Sequence, residues 1–295
     1  MIIDKRIPLK YWLNKIKWEV LIVATLSTSI YFTSEYFVDL SIPISIGVFL
    51  GSAIALLLSF KLSQSYDRWW EARKIWGAIV NDSRSFVIQL KGFSNEQDEA
   101  LIEKMANRQI AWCYSLSMSL RKLDPLEGIE SFISAEELSS IIKHQNIPLA
   151  LLDLHGQDLR ELRNREIISD FQYIQLDNTL VSLCASMGKT ERIKNTFFPK
   201  TYRVTLHLFI YIFLALLSLS LTELHSLVEI PLEVLISIPF FLLDKIALSI
   251  QDPFENKPTD TPMTSISRTI EINIKQLIGQ EEIPKPVEPG AFYVL

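Results

Sequence analysis

Residues able to do acid–base or metal chemistry are few in this sequence and stand apart from one another. The four histidines are isolated, and Cys113 and Cys184 form no pair of the kind that binds metal or cycles redox state. His207 lies in an apolar run, where an ionisable side chain is a candidate proton relay, but its place near the inner end favours a structural hydrogen bond. Asp244 lies in another apolar run and predicts an ion pair with an arginine of the middle segment. The pattern predicts no catalytic residue and no metal site.

Motifs for nucleotide, hydrolytic or nucleic-acid chemistry are missing as well. No glycine-rich loop opens a helix, and the sequence has no GxSxG or HExxH. The net charge is -5, and no basic block stands apart from the acidic residues. The charge cluster from Glu161 to Glu166 is interpreted as a solvated helix surface. We therefore predict a protein that is not an enzyme and has no cofactor and no nucleic-acid partner.

Four stretches have the length and composition of membrane spans. They cover about 18–38, 42–60, 204–221 and 230–250 in a chain that is 48% hydrophobic. A helix that crosses the hydrocarbon core needs about 20 mainly apolar residues. No strand pattern competes with helix, so the sequence predicts an all-α membrane protein with four transmembrane helices and membrane lipid around them.

The placement of lysine and arginine predicts how these spans are oriented. Basic residues, among them Lys5 and Arg6, precede the first span, and the segment 61–203 is rich in both types. The two short connections between paired spans carry acidic residues and no basic ones. Because cytoplasmic segments carry the excess of lysine and arginine, we expect both termini, the segment 61–203 and the tail 251–295 in the cytoplasm. This describes a multi-pass membrane protein, with residues 1–295 forming a single domain.

The cytoplasmic segments predict helices with specific ends. Ser134 followed three residues later by Glu137 is a capping box. Asp170 to Met187 predicts an amphipathic helix that ends near Gly188, and the proline-rich tail predicts an extended path with one short helix over about 265–277.

The second span has an unusual pattern of small residues and a regular stripe. Gly47 and Gly51 allow close helix packing. Ser52, Leu56 and Phe60 recur at i, i+4 and i+8 and therefore share one face of the helix. Such a face either lines an aqueous path or packs against neighbouring helices.

Three motifs in order along the chain resemble one known family. Phe60 to Tyr66 leads into Arg68-Trp69-Trp70-Glu71, Arg73 and Trp76-Gly77; Gly188 to Ile193 is followed by Asn195, Thr196, Pro199 and Tyr202; and the last motif is Gln251-Asp252-Pro253-Phe254-Glu255-Asn256. This order resembles the signature of the bestrophin family of ion channels, and the resemblance covers about residues 7–277.

The resemblance implies a homopentamer around a central pore that passes monovalent ions. Counting back from the Arg68 motif places the family's neck-lining positions at Ser52, Leu56 and Phe60. A second, cytoplasmic constriction falls near Phe171, with Ile174 and Ile168 as neighbours on the same helix. Rings of leucine and phenylalanine offer an ion no replacement for its hydration shell, so the neck would gate by dewetting.

The same resemblance implies structural roles for two of the motifs. We expect Arg68, Trp69, Trp70 and Glu71 to fix the neck helix to the cytoplasmic helices, with Asp252, Pro253 and Phe254 in the same signature. Animal members carry an acidic run after the last motif that helps clasp calcium. Here only Asp260 remains in that stretch, so no calcium clasp is predicted.

Ion choice and two competing functions stay open at this point. Animal relatives are chloride channels, whereas bacterial relatives have been described as passing cations. Acidic residues at the outer connections favour cations slightly: Glu35, Asp39, Glu223 and Glu229. The alternatives to a channel are a secondary transporter and a membrane-anchored scaffold or sensor.

Overall fold

The structure is a computed structural model of the whole chain. It describes residues 1–2, 7–38, 42–94, 98–196, 199–222, 226–289 and 292–295. Within these ranges the chain is α-helical, and the only β pairing is an isolated antiparallel bridge between Ile2 and Tyr293. The helices are α1 Leu9–Tyr36, α2 Ile44–Phe93, α3 Glu99–Leu120, α4 Ala135–Ile141, α5 Ile147–Asn164, α6 Asp170–Asn195, α7 Lys200–Leu221, α8 Glu229–Gln251 and α9 Met263–Leu277. The predicted all-helical class is confirmed.

The chain forms two compact units. The first, called the polar unit below, comprises Met1–Asp4, Trp70–Thr196 and Pro253–Leu295. The second, called the apolar unit, comprises Lys5–Trp69 and Phe197–Asp252. The expectation that residues 1–295 form a single domain stays a prediction.

The apolar unit contains all four predicted spans. In it α1 packs against α7 and α8, and α7 packs against α8. Its outer surface is unusually apolar: Trp18 is 65% exposed, Phe49 73% and Leu235 64%. Exposed large apolar side chains in such number are typical of contact with lipid or with another protein chain. Its core is made of Ile16, Val23, Ile54, Leu58, Leu206, Ile210, Phe213, Leu214, Leu217, Leu221 and Phe241.

Helix α2 is one continuous helix of 50 residues. At 1.5 Å per residue it is about 75 Å long, more than twice the thickness of a hydrocarbon core. In the apolar unit its buried positions include Ile54, Leu58, Lys61 and Ser65, at spacings of four and three. This is the period of a helix with one face on a core.

The polar unit has an apolar core and a polar surface. Trp76, Phe86 and Trp112 are fully buried in it, together with Met105. Helix α3 lies at its centre and packs against α5, α6 and α9. The amphipathic pattern of these helices therefore places their apolar faces inward, as in an ordinary helical bundle.

The helix ends agree with the sequence at some positions and differ at one. The capping box of Ser134 and Glu137 is confirmed. Helix α6, however, continues to Asn195, two turns past Gly188, so its predicted end is wrong. Thr190 and Ile193 are buried on the extra turns, and this packing outweighs the roughly 1 kcal/mol that glycine costs inside a helix.

Candidate functional site

The predicted neck residues lie on the exposed face of α2. Leu56 is 58% exposed and Phe60 55%, and Ser52 is exposed as well. Leu56 lies two residues before the buried Leu58, which places it nearly opposite the core face at about 100° per residue. The Ser52 hydroxyl donates to the carbonyl of Val48 at 2.8 Å, so its polar group is satisfied within the helix. The three side chains are therefore free to face something outside the apolar unit.

The glycines of α2 lie on its packed side. A Cβ added to Gly51 would come within 3.0 Å of the Phe213 ring on α7, and one added to Gly47 would come within 3.5 Å of Leu217. The contact at Gly47 would be an ordinary one, whereas a Cβ at Gly51 would crowd the ring, so Gly51 permits a closer approach of the two helices. Gly51 thus helps to fix α2, the helix that carries Ser52, Leu56 and Phe60, against α7.

Within the apolar unit, the Arg68 motif contacts the last motif. Arg68 Nη2 lies 3.5 Å from Asp252 Oδ1, at the end of α8. Trp69 is half-buried and Trp70 is 45% exposed. These two motifs, 184 residues apart in sequence, are therefore brought together in space.

Within the polar unit, the Glu71 end of the same motif contacts the middle motif. Glu71 Oε1 lies 3.0 Å from Arg192 on α6. Lys194 donates to the carbonyl of Phe254 at 3.1 Å and pairs with Glu255 at 2.8 Å. Phe254 itself is 1% exposed. The three motifs that suggested the family therefore make side-chain contacts with one another.

Asp260, the acidic residue that remains in the loop after the last motif, is hydrogen-bonded within that loop. Asp260 is fully buried, and its Oδ2 accepts a hydrogen bond from the backbone N–H of Lys257 at 3.1 Å. Burial raises the pKa of Asp260. Among the described residues no three His, Cys, Asp or Glu side chains are grouped closely enough to hold a metal ion.

The predicted cytoplasmic constriction is only partly supported by exposure. Phe171 is 86% exposed and Ile174 is 54% exposed, both on the first turns of α6. Ile168 is different: it precedes the N-cap Ser169 and is 3% exposed. Its expected place beside Phe171 on one helix is therefore wrong. A second capping box, Ser169 with Gln172, starts the helix at this point and fixes where Phe171 projects.

The buried charges of the apolar unit differ from the expected ones. Asp244 pairs with Lys61, whose Nζ lies 2.6 Å from Asp244 Oδ1, so the predicted arginine partner is wrong. His207 lies beside the same carboxylate, with Nδ1 3.4 Å from Oδ2. Sequence reasoning missed Lys61 because a lysine directly after an apolar run is usually a marker of the membrane interface. Its i+3 spacing from the buried Leu58 was the available signal.

The acidic residues near the outer connections do not form one exposed group. Glu35 is exposed, but Glu229 is 1% exposed. Asp39 and Glu223 lie outside the described residues, as do Lys5 and Arg6 at the N-terminus. Glu229 is thus too buried to attract ions as a surface charge.

The polar unit buries a charged cluster of its own. Arg108 is 1% exposed and lies 2.9 Å through Nε from Glu137 and 2.6 Å through Nη2 from Asp158. Burial opposes ionisation of Glu137, but the bond and charge of Arg108 lower its pKa overall. His155 is fully buried within α5 rather than at a helix end, and burial together with Arg108 and Lys104 lowers its pKa well below the ordinary value. This cluster holds helices together.

Comparison with known proteins identifies the family. The family model described as "Bacterial/Fungal Bestrophin protein" matches residues 11–276. The chain belongs to the bestrophin family. A curated relative from Escherichia coli, the voltage-dependent anion channel-forming protein YneE, is 32% identical to this bestrophin, and the match covers 96% of the chain and 93% of the relative. The relative RSc3414 of Ralstonia nicotianae carries the same description and is 29% identical over 82% of the chain and 80% of its own length.

A solved structure shows the same fold. A bacterial bestrophin homologue from Klebsiella pneumoniae is 28% identical and superimposes with a TM-score of 0.84, over 90% of this bestrophin and 100% of that chain. Because the match covers 90% of the chain, it includes residues of both compact units. The family resemblance drawn from the three motifs is therefore confirmed.

Two helices of this bestrophin, α2 and α7, are long and apolar enough to cross a membrane, as judged over the described residues. Helices α1 and α8 have the length, but α8 carries Glu233, Asp244 and Lys245 within it. Glu233 and Asp244 lie on the buried face of α8, together with Glu229, Ser237 and Gln251. The prediction of four spans therefore continues as part of the proposal below.

Proposed function

We propose that this bestrophin is a homopentameric channel of the inner membrane that passes monovalent ions through a hydrophobic neck lined by Ser52, Leu56 and Phe60. Four helices of each copy, α1, the first part of α2, α7 and α8, cross the membrane, with both termini in the cytoplasm. The observation that carries the proposal is the exposed stripe of Leu56 and Phe60 on a helix whose opposite face is fully packed. The family membership and the names of the relatives support the channel function.

Exposed apolar side chains on both units support assembly from several copies. On α2 these are Leu56 and Phe60, and on α6 they are Phe171, Ile174 and Val181, each more than half exposed. Several exposed apolar side chains on one helix of the polar unit, as on α6, indicate a surface that another chain covers. The number five comes from the bestrophin family, and native mass spectrometry of the purified protein tests it. A monomer or dimer as the conducting species would contradict the proposal.

The neck controls conduction through wetting. Five copies each of a leucine and a phenylalanine would form two apolar rings one helical turn apart. An ion that enters must give up water without gaining a coordinating group, so a narrow neck stays dry and closed. A small outward movement of α2 admits water and with it hydrated ions.

Two observations favour opposite ion types. The curated relatives are named for anions. In this chain Asp67, seven residues after Phe60 on the same face of α2, is exposed and favours cations. Reversal potentials of the purified protein in a planar bilayer with asymmetric NaCl give the sign directly.

The decisive experiment for the neck compares alanine variants in the same bilayer. We expect Phe60→Ala and Leu56→Ala to raise open probability about tenfold, which corresponds to a shift of about 1.4 kcal/mol in the free-energy difference between the dry and the wet neck. Leu21→Ala on α1, whose side chain is also 55% exposed, is the matched control and should leave conduction unchanged. Unchanged conductance and open probability in both neck variants would contradict the neck. If neither the wild type nor any variant showed unitary currents, a transporter or a scaffold would be favoured instead.

A further inference from the structure

The apolar unit buries an ion pair immediately after the neck. Lys61 follows Phe60 directly. Its side chain is 0% exposed, and that of Asp244 on α8 is 1% exposed. Their charged atoms are 2.6 Å apart. Burial of a charge is unfavourable unless it is paired, so such a pair fixes its two helices only while both partners are present.

A third group, His207 of α7, completes the cluster. Its Nδ1 lies 3.4 Å from Asp244 Oδ2, and that buried oxygen accepts no hydrogen bond from any described residue. A buried acceptor without a donor destabilises the folded protein. The imidazole is 33% exposed, whereas Lys61 and Asp244 are inaccessible. It is therefore the one member of the cluster that can exchange protons directly with its surroundings.

The other side chains around His207, both titratable and aromatic, come from each packed helix. Tyr211 on α7 and Phe241 on α8 stack edge-on against its ring, with centroids 5.2 Å and 5.8 Å away. Glu19 of α1 pairs with Lys245 of α8 and is thereby neutralised. The net charge of the immediate cluster is zero with a neutral imidazole and +1 with a protonated one.

The cluster is coupled to the position of the neck through α2. Lys61 lies on the packed face of α2 while Phe60, its neighbour, lies on the exposed face. Tyr202 of α7 donates to the carbonyl of Leu57 at 3.2 Å, one turn earlier. Lys61 and Leu57 are therefore two points at which the turn that carries Phe60 is held against α8 and α7.

We propose that Lys61, Asp244 and His207 position the neck helix, and that proton uptake by His207 loosens this hold and opens the channel. The inference rests on the proposed channel function and deepens it. Lys61 and Asp244 are positioning residues, since neither faces the neck, and His207 is the proton-sensing group.

The mechanism follows from the charge count. A neutral imidazole carries a hydrogen on only one ring nitrogen, whereas an imidazolium carries one on both, so protonation guarantees a donor at Nδ1 for Asp244 Oδ2. Lys61 bonds Oδ1 and the new donor bonds Oδ2, so the Asp244 charge is then shared between two cations, and the surplus positive charge repels the Lys61 ammonium.

Single-channel recording of the full-length protein at cytoplasmic pH 8 and pH 5.5 tests this. We expect the wild type to open about fivefold more often at pH 5.5, at the lower end of the coupling found between linked sites. His207→Gln, which keeps a hydrogen-bonding side chain without the charge, should abolish the difference. The matched control is His144→Gln, an exposed histidine of the polar unit, which should keep the full response.

A second variant separates positioning from folding. Lys61→Met combined with Asp244→Leu replaces the buried pair by apolar side chains of similar size, a change that is often neutral for stability. We expect this double variant to assemble and conduct but to respond weakly to pH. If His207→Gln kept the full pH response, the inference would be overturned while the channel function stood. The same would follow if the wild type conducted at pH 8 and showed no pH response. A wild type without current at either pH would instead contradict the proposed function and this inference with it.

Discussion

The polar and apolar units bury charged groups in different settings. In the polar unit, Arg108 has two carboxylate partners beneath a surface that is itself charged, and the large aromatic side chains are inside. In the apolar unit, Lys61 and Asp244 lie inside a unit that exposes many of its large apolar side chains. The same kind of ion pair therefore holds together a bundle with a polar surface in one case and, in our proposal, positions the neck helix of a unit with an apolar surface in the other. The difference teaches that burial alone does not tell a core residue from a functional one.

The largest effect is expected from removing the central charge of the polar unit. Arg108→Leu leaves Glu137 and Asp158 buried without their main cationic partner and should destabilise the unit by about 3–5 kcal/mol. The measurement is thermal or denaturant unfolding in detergent. Arg163→Leu is the control because its pair with Asp170 is at least half exposed and such pairs contribute at most about 1 kcal/mol. Equal effects of the two changes would remove the distinction between core and surface charge in this unit.

A smaller effect is expected from overpacking the apolar unit. Gly51→Val forces side-chain atoms toward the Phe213 ring, where a Cβ alone would already lie at 3.0 Å. We expect a loss of about 1–3 kcal/mol in stability, typical of an overfilled core. Gly92→Val is the comparison, since nothing lies within 4 Å of a Cβ at that position. If Gly51→Val melted like the wild type, α2 would not be fixed against α7.

The polar unit should lose stability in mild acid because of His155. Its folded pKa lies well below 6.5, because burial and the charges of Arg108 and Lys104 disfavour the imidazolium. The unfolded chain therefore binds one more proton as the pH falls below about 6.5, and the unit loses up to about 1.4 kcal/mol per pH unit below that point. His155→Leu should flatten this dependence of the melting temperature between pH 6.5 and 5. An unchanged slope would show that another group carries the acid sensitivity.

The smallest effect is expected at the ion pair that joins two of the family motifs. Glu71 and Arg192 are 45% and 66% exposed, so Glu71→Gln should cost less than about 1 kcal/mol of stability. The same unfolding experiment measures it. A loss as large as that of Arg108→Leu would mean that this exposed pair is covered in the assembled protein.

Several features of the fold could be predicted from the sequence because they depend on local patterns. The apolar runs gave the four long helices of the apolar unit, and the Ser134 and Glu137 spacing gave the start of α4. The order of three motifs was enough to identify the family. Each of these depends on residues that are close together in the chain.

What could not be predicted depends on contacts between distant segments. Lys61 and Asp244 are 183 residues apart, and nothing near either one indicates the other. The end of α6 was missed because buried Thr190 and Ile193 outweigh a local glycine signal. Ile168 was misplaced because the capping box at Ser169 moves the helix start past it. The neck and constriction residues themselves remain predictions until conduction is measured.

The central claim, that Phe60 faces an ion path, is tested most directly by cysteine modification during recording. Phe60→Cys is placed in a Cys184→Ser background, since Cys184 is exposed while Cys113 is buried and shielded from reagents, and the channel is then treated with a charged methanethiosulfonate reagent. We expect an immediate, lasting change in single-channel conductance in Phe60→Cys and none in Leu21→Cys. Full modification of Phe60→Cys, verified by mass, with an unaltered current would contradict the claim.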